Sequence, residues 1–200
     1  MLYTFIDLFC GAIVPLIVVI LVCVLRKKKD TKKTILIALF TLYLAEVFDI
    51  VGIAAIQYCR WNPILNFVPL ADGLSFGFIA NIILFIPFGF LLPLIWPCFR
   101  KFSFTLLAGV LSSLAIEISQ LFSFRATDID DLLTNTAGTI IGYLIIVCFA
   151  RKKWTKNKPD TKKNKGNVIE LAAVIGLTLL SAIFIKSAIG NYIYGLPMFK

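Results

Sequence analysis

The stretch EISQLFSFRATDIDDLLTNTAGTIIGY, Glu117 to Tyr143, sets one Glu, one Arg and three Asp between strongly apolar runs. Glu117 and Gln120 are three residues apart, and Asp131 and Asn135 four apart, so each pair shares a helix face. A carboxyl group such as Glu117 serves as a general acid or base when burial tunes it. Arg125 offers a planar fork for phosphate or carboxylate. Asp128 and Asp131 supply the oxygens that an amine or a hard cation takes. Their spacing matches no metal motif, and no cofactor motif occurs in the chain, so neither a metal nor a cofactor is expected. Part of the acidity has a structural reading. Asp128 is a good N-cap for a following helix, and acids in a first turn complement the helix dipole.

These residues need elements to hold them, and composition says what kind. The chain has 200 residues, 60% of them hydrophobic, and a mean hydropathy of +0.92. Soluble domains are nearer 45–50% apolar. His is absent, which excludes a His general base, phosphoryl carrier or metal ligand. None of the five Cys forms a CxxC pair, and no structural disulfide is expected. The N-terminus does not read as a cleavable signal, because Asp7 sits early and the basic cluster follows the apolar run.

Six spans are predicted, at about 5–25, 34–56, 76–98, 103–123, 129–150 and 168–190. The fold class that follows is an all-α polytopic membrane protein of six transmembrane helices. Sixteen of the twenty Lys and Arg fall in three segments, 26–33, 99–102 and 151–167, which share one side if the spans alternate. The positive-inside rule makes that side cytoplasmic and predicts both termini outside the cell membrane. Nucleic-acid binding is not indicated, because the basic segments lie too close to apolar spans to act as free arms. The linker 151–167 reads as a flexible, basic strip on anionic lipid head groups. Segment 57–75 carries Tyr58, Trp61 and Phe67 with Pro63 and Pro69, and reads as an ordered loop at the outer interface.

A helix rise of about 1.5 Å per residue converts position into depth. Asp49, Asn81, Glu117 and Asn135 then lie roughly 8–9 Å below the outer surface of a core of about 30 Å. Glu46 lies one turn below Asp49 on the same face. Four helices therefore bring polar groups to one level, and such groups in lipid need each other. One outward-facing polar cluster is predicted. Glu46, Asp49 and Glu117 in close range would repel one another unless a proton or cation sat among them. A structural network that glues helices together is the alternative reading of the same residues. Gly138 and Gly142 form a GxxxG pattern in line with Asn135, which predicts close helix packing. Pro87, Gly89 and Pro93 predict a kinked or broken third span.

The same blocks carry a resemblance. Asn66 to Leu70, NFVPL, looks like an Asn-x-x-Pro-aromatic loop with Leu70 in the aromatic place. NIILFIPFGFLLP, Asn81 to Pro93, is similar to an Asn followed by a Pro-aromatic-Gly turn. Glu117 to Tyr143 matches Glu-x-x-Gln, Arg, Asp-x-x-Asp and Asn-Thr-x-Gly blocks. In this order the motifs resemble the VanZ-like family of bacterial membrane proteins. The resemblance covers about residues 34–150 and marks Asn66, Asn81, Glu117, Gln120, Arg125, Asp128, Asp131 and Asn135 as the ligand-binding set. Residues 1–33, 151–167 and 168–200 look like an N-terminal helix with its basic loop, a linker and an appended helix. The family's founding member is associated with teicoplanin resistance, so the resemblance implies a role in the Gram-positive cell envelope.

Three functions follow from these readings. The first is a non-enzymatic protein that binds a lipid-linked cell-wall precursor, a lipoglycopeptide antibiotic or another amphiphile in the outer leaflet. Its acids would engage amines, and Arg125 an anionic head group. The second is an enzyme on a lipid head group or cell-wall precursor, with Glu117 as acid or base and Arg125, Asp128 and Asp131 holding substrate. The third is a transporter component, since intramembrane carboxylates suit ion coupling.

Overall fold

The computed structural model describes residues 13, 15–17, 19–20, 30–53, 59–61, 63–69, 73, 76–122, 127–156 and 164–185. The described chain is helical apart from one short strand pair. The elements are α1 (Thr31–Ile50), β1 (Leu65–Asn66), α2 (Phe76–Ile95), a 3-10 turn (Pro97–Arg100), α3 (Phe102–Gln120), β2 (Thr127–Asp128), α4 (Ile129–Lys156) and α5 (Asn164–Leu180), which runs on into a π turn (Ser181–Ile185). Among the described residues, four helical stretches are long and apolar enough to cross a membrane: Phe76–Ile95, Phe102–Gln120, Ile129–Ala150 and Asn164–Phe184. They coincide with the third to sixth predicted spans. The first predicted span, 5–25, lies almost wholly outside the described residues. The second is the helix α1, which carries Lys32, Lys33, Glu46 and Asp49.

The ends of α1 follow from local chemistry. The Asp30 carboxylate accepts the Lys33 N–H at 3.1 Å and caps the start. Gly52, at φ 70°, ends the helix. The Ile53 N–H reaches the Phe48 carbonyl at 3.0 Å and the Gly52 N–H that of Asp49 at 3.1 Å, a Schellman closure that favours Gly. The span predicted to continue to residue 56 therefore stops at Ile50.

The chain divides into two compact units, one of residues 63–121 and 125–169 and one of the remainder. In the latter, α1 buries Ile37, Phe40, Thr41, Leu44, Ala45, Val47 and Phe48 on one stripe, and Lys33 Nζ meets Glu170 Oε2 at 2.7 Å. The Trp61 and Phe122 rings pack edge-on at 5.3 Å.

The former unit holds the close-packed helices. A Cβ on Gly138 would strike the Ile82 carbonyl, one on Gly142 the Ile86 carbonyl, and one on Gly89 the Thr139 carbonyl. Helices α2 and α4 thus run side by side in the same direction with their backbones touching, as a GxxxG stripe permits. Helix α3 runs antiparallel to α4, since Asn135 meets Ser113 and Thr139 crowds Gly109. Phe85, Phe88, Leu92, Ile95, Trp96 and Phe99 fill the core.

Two local expectations change. Helix α2 is not broken, because it continues through both Pro87 and Pro93 to Ile95. The bend in the path comes later, at Trp96, whose extended φ of −119° and ψ of 110° precede Pro97. The linker expected over 151–167 is partly helical. Helix α4 reaches Lys156 and α5 begins at Asn164. Lys and Arg are good helix formers, and the Trp154 ring lies 5.3 Å from the Arg100 guanidinium.

Candidate functional site

The polar residues of the close-packed unit converge at the end where α3 finishes and α4 starts. Three elements set the frame. β1 pairs in parallel with β2, with Leu65 opposite Thr127 and Asn66 opposite Asp128, and the Thr127 N–H donates to the Ile64 carbonyl at 2.8 Å. The loop expected at the interface is thereby tied to the entry of α4. At that entry, Asp128 caps the helix, its Oδ1 accepting the Asp130 N–H at 2.9 Å. Its Oδ2 accepts from Asn66 Nδ2 at 3.1 Å. One side chain therefore starts a helix and holds a loop.

Glu117 sits in the last turn of α3 and is only 4% exposed. Its Oε2 accepts the backbone N–H of Asp128 at 3.0 Å. Its own carbonyl takes the Thr127 hydroxyl at 3.1 Å. A turn further into α4, Asp131 Oδ1 accepts from Asn81 Nδ2, which joins α2 to the group. Asp128 and Asp131 both lie close enough to Glu117 to act on it electrostatically. Below them, Asn135, 2% exposed, donates through Nδ2 to Ser113 Oγ at 3.0 Å. Two acceptors in this arrangement, Glu117 Oε1 and Asn135 Oδ1, are buried with no hydrogen-bond partner among the described residues.

Of the residues singled out in the sequence, Asn66, Asn81, Glu117, Asp128, Asp131 and Asn135 belong to this arrangement. Gln120 is buried one turn on from Glu117. Arg125 lies outside the described residues. Glu46 is exposed and Asp49 is half-buried, and both belong to the other compact unit. Glu46 falls off the buried stripe of α1. No group of three or more Asp, Glu or Cys among the described residues is set to hold a metal ion.

The pairing also differs in register from the shared depth read along the spans. Asn135 meets Ser113 rather than Glu117, and Asp128 and Asp131 meet the Glu117 level. Helix depth was counted from span ends, whereas the β1–β2 pairing sets where α4 begins. Ser113 was missed. The available signal was its place four residues before Glu117, on the same face of an apolar helix.

A family profile described as VanZ/LLP1 matches residues 49–150, which include Asn66, Asn81, Ser113, Glu117, Gln120, Asp128, Asp131 and Asn135. Protein VanZ of Enterococcus faecium is 36% identical over 121 residues, 58% of this chain and 68% of that protein. No solved structure matches.

Proposed function

The chain belongs to the VanZ/LLP1 family, and from that premise we propose that it is a multi-pass cell-membrane protein whose polar site binds a lipid-linked or amphiphilic ligand from the outer leaflet. One observation carries the reading. Asn66, Asn81, Glu117, Asp128 and Asp131 come from the β1–β2 pair and three helices, yet they gather in one place: Asn66, Asp128 and Glu117 are linked by hydrogen bonds, the Asn81–Asp131 pair lies within electrostatic reach of Glu117, and a buried acceptor is left over. A network built only to glue helices would satisfy its own acceptors.

Orientation follows from charge. With six spans, the basic segments 26–33, 99–102 and 151–167 all face the cytoplasm. The site and both termini then face outward, and Arg125 lies on the same side, ready for an anionic head group. Lowered susceptibility to teicoplanin, through capture of the lipidated drug or of a cell-wall precursor, is the phenotype this reading attaches to the family.

The experiment is teicoplanin susceptibility in a sensitive Gram-positive host, with expression matched and vancomycin alongside. Wild type is expected to protect selectively against the lipidated drug, and Glu117→Gln to lose that protection. Equal susceptibility of wild type and empty vector would sink the resistance role.

A second reading has its own support. Glu117 has one oxygen held by the Asp128 N–H and the other unpartnered, which is how a general acid or base is oriented. A changed lipid or precursor profile in expressing cells, abolished in Glu117→Gln, would favour catalysis over binding.

A further inference from the structure

Hydrogen-bond accounting at the site is lopsided. Donors among the described residues are engaged: Asn66 Nδ2 on Asp128, Asn81 Nδ2 on Asp131, Asn135 Nδ2 on Ser113, and the backbone N–H of Asp128 on Glu117. Among the described residues, two acceptors here, Glu117 Oε1 and Asn135 Oδ1, are left without a hydrogen-bond partner, on side chains 4% and 2% exposed. A buried acceptor without a partner is costly, and a buried carboxylate oxygen more so. Asp128 and Asp131 add negative charge beside Glu117. An anionic group placed here would meet acceptors and like charge. A group with several N–H donors and a positive charge suits both the unpartnered acceptors and the neighbouring acids.

We infer that the Glu117–Asn135 end of the site takes the primary ammonium of its ligand. This rests on the ligand-binding reading above and names the chemistry of the part that enters. An ammonium carries three donors and no acceptor, so it matches the unpartnered atoms without competing for the engaged ones. Ser113 is a positioning residue, because it holds Asn135 Nδ2 and so fixes the amide whose oxygen is left unpartnered. Two sources present such a group at a membrane surface: the amine of a lipid head group and the amine of a water-borne molecule.

The test uses the full-length protein in mild detergent, with native mass spectrometry as readout. The probes are phosphatidylethanolamine, its N-acetylated form and phosphatidylglycerol, with hexylamine as a soluble competitor. Phosphatidylethanolamine is expected to bind about tenfold tighter than its N-acetylated form, which corresponds to about 1.4 kcal/mol. That preference should vanish in Glu117→Gln, which keeps the shape and gains a donor while losing the charge. Asn135→Asp, with a second carboxylate, should keep or enlarge it, provided the variant elutes as a single species. Competition by hexylamine would support the assignment with a free amine as the source. A preference that hexylamine does not disturb would support it with a lipid amine as the source. Equal binding of the amine and its N-acetyl form, or a preference that survives Glu117→Gln, would overturn it. If the preference is absent while phosphatidylglycerol binding still depends on Asp128, only the ammonium assignment falls. If no lipid binding depends on any site residue, the proposed function falls with it.

Discussion

Asp128 shows how much one residue does here. Its two carboxylate oxygens serve two elements, one accepting the Asp130 N–H and the other the Asn66 amide. Replacing it separates those roles. Asp128→Ser keeps an N-cap and gives up Asn66, whereas Asp128→Ala gives up both. Asp128→Ala is expected to lower stability by roughly 0.5–2 kcal/mol for the cap alone, and Asp128→Ser by less. Thermal melts of the purified variants in detergent would rank them, and equal melting temperatures for Ser and Ala would show that the cap contributes nothing. Asn81 makes a simpler case. Asn81→Ala removes the donor to Asp131 Oδ1 and is expected to cost about 1–3 kcal/mol. An unchanged melt would mean that this link between α2 and α4 adds no stability.

At the scale of elements, the interface of α2 with α4 is made by backbone meeting backbone. Gly138 and Gly142 leave no room for a Cβ against the Ile82 and Ile86 carbonyls. Such an interface works by close van der Waals approach, since lipid supplies no hydrophobic drive between helices. Gly142→Leu is expected to push the helices apart and to abolish a monodisperse product. Gly176 has open space around the position of a Cβ, so Gly176→Leu should behave like wild type. Size-exclusion profiles of the two would decide the point. Similar profiles would show that the glycine stripe is not what holds α2 to α4. The strand pair plays a different part. Two residues on each side cannot stabilise a sheet, yet they tie the 63–69 segment to the start of α4 and so bring Asn66 to Asp128.

For the molecule as a whole, orientation is the property with the widest consequence, because it decides which solution the polar site meets. If the basic segments are cytoplasmic, Cys59 is external. In intact cells a membrane-impermeant thiol reagent should then label Cys59, in a variant whose other four cysteines are replaced by Ala. A Cys introduced at Lys162 should label only after permeabilisation. The opposite pattern would invert the topology and remove the outer-leaflet reading.

What the linear chain determined is what depends on composition and on short spacing. Apolar runs near 20 residues made membrane helices, and α2, α3, α4 and α5 lie where those runs are. The i, i+4 spacing of Gly138 and Gly142 declared a packing stripe before any partner was known. The polar residues also announced themselves, since an acid or amide inside an apolar helix must meet another polar group. Which groups meet was decided only in three dimensions. Asn135 chose Ser113, Asn81 chose Asp131 and Asp128 chose Asn66, because the β1–β2 pairing and the glycine contacts set the register of α4 against its neighbours. Register is a long-range property of packed backbones. The depth of a residue along its own helix cannot supply it.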